Sequence, residues 1–391
     1  MENQAYISRV HLKGYKSIRD MEIDFMPGLN IIIGPNGSGK TNFLECLDEN
    51  TKAFILLDNA FFYLEFFVNQ SKYSISRTFK SKFISVNNAG KFIEEITLDN
   101  KLIHKNEGFV GINQNGRKNS SFEHWQAIAN FSQIPMTTLA SHKFIKYGYS
   151  TNISMFSKPF SFNSKDTNEI IMELANEGNI ILEKLIMGIV KVDEQNIENL
   201  NSESINEIFE LEKILKSALL NYTPINDIRI KQDFTITKKE NSVDINSLIY
   251  EFRINNQWFT WKQLSDGTKR IIQIIFEVCK TDENPLDKIV FIEEPELGIH
   301  PNQLSRLMDF LREQSREKQI IITTHSPQVL NELGADELNR IIVTRYEGER
   351  GTQMYHLSEE EKGFAKGYME NGAFLSDYWV QSGFMNEEEI V

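Results

Sequence analysis

The hydrophobic and polar positions divide the chain into a strand-rich first part, a helical middle and a second part that again contains strands. In the first part, apolar residues alternate with polar ones or form short runs between turn residues, which is typical of β-strands. This pattern predicts strands at residues 5–10, 21–26, 29–33, 61–68, 73–79, 92–98 and 101–104. The aromatic run at 61–68 is more typical of core packing than of base stacking.

Between residues 168 and 222 the spacing changes to that of amphipathic helices. Ile170, Ile171 and Leu174 recur at helical spacing, as do apolar residues within 181–186 and 205–215. Strands are predicted again at 227–230, 234–237, 248–254, 289–292, 319–323 and 341–344, with a short helical element within 372–385. We therefore expect three parts, which are residues 1–165, a helical lobe at 166–223, and residues 224–391.

The composition is that of a globular protein with a sizeable core, since 40% of the 391 residues are hydrophobic. No apolar run reaches the ~20 residues that span a bilayer, and the first residues lack the features of a signal peptide. The two cysteines, Cys46 and Cys279, do not form a metal-type pair. We therefore expect a cytoplasmic protein with reduced thiols and no membrane partner.

The formal net charge of −13 argues against wholesale wrapping of nucleic acid. A local basic stripe would still permit DNA binding, because the electrostatic field depends on where the charges lie. The loosely basic stretch between Lys72 and Lys91 is better explained as the solvated face of a strand pair.

One stretch fills every fixed position of the G-x-x-x-x-G-K-[ST] phosphate-binding loop, namely Gly34-Pro35-Asn36-Gly37-Ser38-Gly39-Lys40-Thr41. A short apolar strand precedes it and a predicted helix running to the mid-fifties follows it, which is the context in which this motif binds nucleotides. Loop amides and the helix N-terminus would cradle a phosphate chain. Lys40 would reach the outer phosphates, and the Thr41 hydroxyl would hold Mg²⁺. The nucleotide-binding candidates are therefore Asn36, Gly37, Ser38, Gly39, Lys40 and Thr41.

A second motif is an apolar strand that ends in paired carboxylates, Ile289-Val290-Phe291-Ile292-Glu293-Glu294. In open α/β sheets, ligands bind at the carboxyl ends of the strands. Glu293 would bind Mg²⁺ directly or through water, and Glu294 would orient and deprotonate the attacking water. A strand end that is merely acidic is the alternative, and the phosphate loop upstream favours the catalytic interpretation.

Two further motifs are weaker when taken alone. The segment Leu264-Ser265-Asp266-Gly267-Thr268 opens a predicted helix, where Ser265 and Gly267 suit either a γ-phosphate or an ordinary N-cap. Another apolar strand ends at Thr324-His325-Ser326-Pro327. We expect this strand to neighbour the one that ends at Glu294, so that His325 senses the γ-phosphate and polarises the water. A structural histidine is the alternative.

In this order, the four motifs resemble the ABC-type ATPase core, and most closely the branch that holds RecF, SMC-like proteins and the OLD (overcoming lysogenization defect) family ATPases. The resemblance covers residues 6–45 and 261–344, and it adds Asn42 to the nucleotide-binding candidates. It implies an α/β fold, in which an ABC-type P-loop NTPase core with a mixed sheet and an antiparallel β subdomain carries a small helical lobe.

The resemblance further implies that Ser265 completes the nucleotide site of a second chain. Two ATP molecules, each with Mg²⁺, would then be sandwiched in a head-to-tail homodimer or higher homo-oligomer, so that ATP binding controls association. The chain departs from the family pattern at Glu293, where an aspartate is usual, and at His300, where transporters place a signalling aspartate. The glutamine that lines the metal site falls in the unmatched middle, where Gln133 is one candidate.

The chain ends at residue 391, too soon after His325 for the Toprim nuclease domain that OLD nucleases carry there, so we expect no built-in nuclease. The main hypothesis is therefore an ATPase that controls a separately encoded effector, such as a nuclease or toxin, in antiphage defence. A RecF-like DNA-binding repair or recombination ATPase is the alternative. The motor of a membrane transporter is a third and weaker hypothesis.

Overall fold

A computed structural model describes residues 5–52, 60–68, 70–82, 89–111, 143–145, 160–162, 213, 216–230, 235–239, 242–246, 250–279 and 289–382. The chain divides into two compact units. The first comprises Met1–Ile145, Thr281–Glu296 and Leu311–Val391, and the second comprises Lys146–Lys280 and Leu297–Phe310.

The strands and helices follow one another along the chain in three groups. The first group is β1 (Tyr6–Tyr15), β2 (Ile18–Asp24), β3 (Leu29–Ile33), α1 (Lys40–Lys52), β4 (Phe61–Val68), β5 (Ser71–Lys82), β6 (Ala89–Leu98), β7 (Lys101–Gly111), β8 (Lys143–Ile145) and β9 (Phe160–Phe162). The second group is β10 (Asp227–Ile230), β11 (Thr235–Lys239), β12 (Ser242–Asn246), β13 (Tyr250–Ile254), β14 (Gln257–Thr260) and α2 (Asp266–Cys279). The third group is β15 (Ile289–Glu293), α3 (Pro301–Gln314), β16 (Gln319–Thr324), β17 (Ile341–Tyr346), β18 (Thr352–His356), α4 (Glu359–Glu370) and α5 (Leu375–Ser382).

The first unit contains a mixed sheet in the order β18-β17-β3-β16-β15-β8. Its neighbouring strands are parallel except for β18, which is antiparallel to β17. The strands β3, β15 and β16 are buried along their whole length, which explains their continuous apolar runs, because a parallel sheet is covered on both faces. Helix α1 adds Phe43, Leu44 and Leu47 to the same core.

A second sheet of the first unit is fully antiparallel, in the order β2-β1-β4-β5-β6-β7. Val10 and Leu12 in β1, and Leu64 and Phe66 in β4, are buried, while the residues between them are more exposed. This alternation is the reason that these segments form half-buried strands. The apolar face joins the core that also contains α1.

The second unit contains two three-stranded sheets, in the orders β10-β13-β14 and β11-β12-β9. Helix α2 buries one apolar stripe, which consists of Ile271, Ile272, Ile274, Ile275 and Val278. Residues 216–222 are helical, and the Tyr222 ring packs 5.3 Å from that of Phe310.

The strands predicted from sequence are confirmed within the described residues, as are the helix after the phosphate loop and the closing helical element, which is α5. Strands β8, β9, β12, β14 and β18 and helices α3 and α4 were not predicted. Most of the predicted helical lobe, and Gln133, lie outside the described residues, and the boundaries at 165 and 223 stay predictions. Among the described helices, none is long and apolar enough to cross a membrane.

Candidate active site

The phosphate loop connects β3 to α1, and two of its three glycines have neighbours that leave no room for a Cβ atom. A Cβ atom on Gly34 would lie 2.3 Å from the carbonyl oxygen of Thr344. At Gly39, with a φ of +101°, a Cβ would lie 2.0 Å from Thr352 Oγ1. Gly37 has a φ of +80° in open space and lies beside the exposed Asn36. The glycines therefore permit a tight loop that side chains would obstruct.

Lys40 is the central cation of the loop and is only 7% exposed. Its Nζ donates hydrogen bonds to the carbonyl oxygens of Gly34 at 2.7 Å and Pro35 at 3.0 Å. Burial lowers the pKa of Lys40, and the carboxylates of Glu294, Glu296 and Glu293 oppose this shift. The ammonium group thus lies in a buried site that also contains carboxylate groups.

The buried hydroxyl of Ser38 has no hydrogen-bond partner within the described part of the chain. A buried polar atom of this kind usually bonds a protein group, a water or a ligand. Its place in the phosphate loop suits a phosphate oxygen as that partner. This observation supports the fit of the loop to a nucleotide.

The two predicted metal ligands meet across the first unit. The Thr41 hydroxyl donates a hydrogen bond to Glu293 Oε1, although the two residues are 252 positions apart in the chain. Glu293 is 7% exposed at the carboxyl end of β15. A hydroxyl and a carboxylate are oxygen ligands of the kind that Mg²⁺ takes beside substrate phosphates. The pair therefore fits the magnesium ion that would accompany a nucleotide.

Glu294 follows β15 directly and has a φ of +47°, a backbone region that is uncommon for residues other than glycine. Its N–H donates to the carbonyl oxygen of Thr323 at 2.7 Å. Its Oε1 lies 2.8 Å from His325 Nδ1. Strained backbone of this kind clusters at functional sites. The expected adjacency of the two strands is confirmed, since β15 and β16 pair in parallel and end at this acid–histidine contact.

A third carboxylate at this edge, Glu296, was missed in the sequence. Its side chain is 8% exposed, its Oε1 accepts a hydrogen bond from Thr324 Oγ1 at 2.5 Å, and it lies 4.0 Å from His325 Nδ1. Burial raises the pKa of Glu296. The signal available in the sequence was its place in Glu293-Glu294-Pro295-Glu296, where it stands two residues beyond the predicted base.

Asn42 belongs to a chain of side-chain contacts that links three segments of the first unit. Its Nδ2 donates to Ser17 Oγ at 2.7 Å, and Ser17 Oγ lies 2.7 Å from Thr352 Oγ1. These contacts join the start of α1 to the β1–β2 turn and to β18. Ser17 and Thr352 were not singled out from sequence, and the role of Asn42 toward a nucleotide stays a prediction.

Ser265 and Gly267 lie in the second unit. Ser265 precedes α2 and caps it, because its Oγ accepts a hydrogen bond from the Thr268 N–H at 3.2 Å. A Cβ on Gly267 would lie 2.1 Å from the carbonyl oxygen of Gly298, so close packing alone requires a glycine there. Ser265 is exposed, and its action on a nucleotide stays a prediction.

The structure thus brings together Lys40, Thr41, Glu293, Glu294 and His325 at one edge of the mixed sheet. A family model described as "AAA domain" matches residues 9–222 of this chain, which is more than half of its 391 residues. The chain belongs to this AAA-domain family. A second model, described as "AAA domain, putative AbiEii toxin, Type IV TA system", matches residues 149–331.

Two kinds of curated relatives are similar to parts of the chain. The Retron Ec83 probable ATPase of Escherichia coli is 27% identical over 160 residues, which is 36% of this chain and 30% of the relative. The DNA replication and repair protein RecF of Desulfitobacterium hafniense is 54% identical over 39 residues, which is 10% of this chain and 11% of the relative. The chain therefore spans less than a third of the length of these relatives.

Solved structures of SMC head domains share the fold. An SMC head bound to the C-terminal winged-helix domain of ScpA has a TM-score of 0.50 at 15% identity, covering 92% of this chain and 99% of that one. An SMC head with an extended coiled coil, bound to the C-terminal domain of ScpA from Pyrococcus furiosus, has a TM-score of 0.50 at 16% identity, covering 94% and 100%. The prediction of an ABC-type α/β fold is confirmed. The AAA-domain model and the curated relatives agree with the prediction of a RecF/SMC-like P-loop ATPase.

Proposed function

We propose that the edge formed by β3, β16 and β15 binds ATP and hydrolyses its terminal phosphate, and that the ATP-bound chain dimerises to control a separate effector protein. The observation that carries this proposal is the meeting of three motifs at adjacent strand ends. Lys40 follows β3, Glu294 follows β15, and His325 follows β16. These are groups that phosphoryl transfer requires for positioning and for charge stabilisation.

In this mechanism, Lys40 exchanges its two carbonyl partners for phosphate oxygens, and the Ser38 hydroxyl gains a phosphate partner. Thr41 and Glu293 would hold Mg²⁺, which neutralises charge on the phosphates when it is bound. Glu294 orients the attacking water and accepts its proton. The contact from His325 Nδ1 fixes the Glu294 carboxylate in position for that transfer.

The second half of the proposal is an ATP sandwich between two copies of the chain. Ser265 is exposed at the N-terminus of α2, and the neighbouring Asp266 side chain is 99% exposed. Because the N–H groups of a helix N-terminus favour a phosphate, this end of α2 is suited to the γ-phosphate held by a second chain. The phosphate loop of one copy and Ser265 of the other would form each site.

Mixing two inactive variants tests this arrangement. We expect Lys40→Ala to lose ATP binding and Ser265→Arg to block the site on a second copy, so that each variant alone is inactive. Mixed in equal amounts, they form hybrid dimers with one intact site, which restores about a quarter of the wild-type ATPase rate. The measurement is phosphate release at saturating ATP.

The matched control mixes Lys40→Ala with a chain that carries both substitutions, because no pairing of those two chains contains an intact site. If each chain hydrolyses ATP with its own Ser265, the first mixture gains nothing over its components, and the sandwich is wrong. Recovery in the first mixture together with inactivity in the control supports the shared site.

Similarity to a retron ATPase supports a role in antiphage defence, in which the ATPase holds or releases a nuclease or toxin. The test is phage plating on cells that carry this gene with its neighbouring genes. We expect protection with the wild-type chain and loss of protection with Lys40→Ala. Equal protection by both chains would contradict control by ATP.

Short matches to RecF favour a second candidate, a DNA-binding repair or recombination ATPase. This candidate predicts an ATPase rate that rises with duplex DNA and falls steeply with added salt. The net charge of −13 opposes it. An ATPase rate that is unchanged by DNA at low salt would eliminate it.

A further inference from the structure

The helical hairpin α4–α5 carries two exposed aromatic side chains, Phe364 and Phe374, and two half-buried ones, Tyr368 and Tyr378. We call these four residues the aromatic strip. Phe364 is 61% and Phe374 is 63% exposed. The rings of Tyr368 and Tyr378 lie 5.6 Å apart and join the two helices. Phe364 precedes Tyr368 by one helical turn on α4. Phe374 directly precedes α5, and its carbonyl oxygen accepts a hydrogen bond from the Tyr378 N–H. The two exposed rings therefore flank the pair of tyrosines.

The hairpin is well packed on its inner side, although the two phenylalanines of the aromatic strip are exposed. Ala365 is fully buried and Leu375 is 1% exposed, so both helices have an inward side that is already packed. Ser358 caps α4 through a reciprocal capping box with Glu361. Large apolar side chains that remain outside a packed element mark interaction sites when they are contiguous.

The charges on α4 are divided between its two sides. Glu360 and Glu361 precede Phe364 by four and three residues, and therefore share its side of the helix. Lys362 and Lys366 are each two residues from Phe364, and therefore lie on the other side. Burial raises the pKa of Tyr378, and the carboxylates of Glu361 and Glu360 act in the same direction.

The hairpin also packs against the segment that follows His325. Helix α5 contacts residues Pro327–Glu332, and the Ser376 N–H donates to Asn331 Oδ1 at 2.8 Å. Val329 and Leu330 of that segment are fully buried. One short, well-packed turn therefore connects His325 to the base of the hairpin.

We propose that the aromatic strip is the docking surface for the effector protein, and that the docked segment presents large apolar side chains flanked by lysine or arginine. This inference rests on the proposed function, because it places the effector on the chain. A second copy is disfavoured as the occupant, since the same acidic strip would face itself. Opposite charge on the partner complements Glu360 and Glu361 and increases the rate of association in the correct orientation.

Site-specific photo-crosslinking in the native host tests the proposal with the full chain. A photoreactive phenylalanine analogue replaces Phe364 in one strain and Phe374 in another, and the cross-linked segment is sequenced by mass spectrometry. We expect an adduct with a segment of a different protein that has net positive charge and large apolar residues. An adduct with a second copy of this chain, an adduct with an acidic segment, or no adduct above the control would overturn the proposal.

The matched control is the same analogue at Val380, which is 72% exposed on the same hairpin. Val380 follows Tyr378 by two residues and therefore lies on the other side of α5. A synthetic peptide with the cross-linked sequence then provides the affinity measurement. We expect Phe364→Ala combined with Phe374→Ala to weaken its binding at least about tenfold, and Val380→Ala to leave it within about twofold. Equal weakening by both would show that the strip is not the contact.

The docking proposal and the ATP-sandwich proposal can be contradicted independently of each other. If mixing Lys40→Ala with Ser265→Arg restores hydrolysis and no adduct forms at Phe364 or Phe374, the docking proposal alone is wrong. If the adduct forms and mixing restores nothing, the sandwich alone is wrong. Adduct yield in the Lys40→Ala chain then reports whether docking depends on the nucleotide.

Discussion

The nucleotide edge of the mixed sheet and the α4–α5 hairpin belong to the same unit. Both depart from the usual distribution, in which charged side chains are exposed and apolar ones are buried. At the edge, charged side chains are buried, with Lys40 and Glu293 each 7% exposed. On the hairpin, apolar rings are exposed, with Phe364 and Phe374 each above 60%. Buried charges and exposed apolar patches are the two informative departures from ordinary burial. Each has an unfavourable free energy, which the proposed partner would offset, a nucleotide at the edge and a protein on the hairpin.

The largest expected effect comes from removing the proposed base at the edge. Glu294→Gln keeps the size of the side chain and removes the carboxylate that accepts the proton from water. We expect hydrolysis in a single turnover to slow by about 10²- to 10⁴-fold while ATP still binds. The ATP-bound dimer should therefore accumulate, which analytical ultracentrifugation detects.

Val380→Ala on the hairpin is the control for that measurement. Its side chain is 72% exposed and lies outside both the edge and the aromatic strip, so its single-turnover rate should match that of the wild type. If Glu294→Gln hydrolysed ATP at the wild-type rate, another group would be the base, and Glu296 would be the first residue to examine.

A smaller effect, of opposite sign in the two regions, is expected from adding one methyl group to a glycine. At the edge, Gly34→Ala places a Cβ 2.3 Å from the Thr344 carbonyl oxygen, and such overpacking costs about 1–3 kcal/mol of unfolding free energy. On the hairpin, a Cβ on Gly363 meets nothing within 4 Å. Because alanine is the better helix former, Gly363→Ala should stabilise α4 by about 0.8–1 kcal/mol.

Chemical denaturation of both glycine variants measures these changes. Destabilisation by Gly34→Ala together with stabilisation by Gly363→Ala would confirm that the edge is closely packed and the outer side of α4 is open. Two changes of the same sign would contradict that difference in packing.

The comparison also separates what the sequence predicts from what it does not. The phosphate loop and the acidic strand end are local sequence motifs, so Lys40 and Glu294 could be predicted as site residues without knowledge of the fold. Glu296 was missed because its importance comes from burial beside Thr324. The Ser17–Thr352 contact was missed because it joins residues 335 positions apart, which no local pattern indicates.

Local signals for the missed elements were present in two cases. Ser358 and Glu361 have the spacing of a capping box, which would have predicted the start of α4 despite its two glycines. Asn255 and Asn256 both have positive φ values, and a two-residue Asn turn is a signal for the β13–β14 hairpin. The exposure of Phe364 and Phe374 was not predictable, because helical spacing alone does not indicate which side of a helix is packed.

The smallest expected effect concerns the buried acid at the edge and depends on pH. Burial is the main cause that raises the pKa of Glu296, and the Glu294 carboxylate adds to it, while the Thr324 hydroxyl and His325 act in the opposite direction. A carboxyl group with a raised pKa in the folded state binds its proton more tightly there than in the unfolded chain. Its contribution to stability is therefore full below the unfolded pKa of about 4.3 and is lost as the pH rises through the folded pKa.

Glu296→Gln removes this titration and leaves an oxygen that can accept the Thr324 hydrogen bond. The free energy of unfolding of the variant, relative to wild type, should consequently increase from pH 4 toward neutral pH in urea titrations. A difference that stays constant or decreases over that range would mean that Glu296 is ionised in the folded protein at no cost, and the edge would then be less isolated from water than its burial indicates.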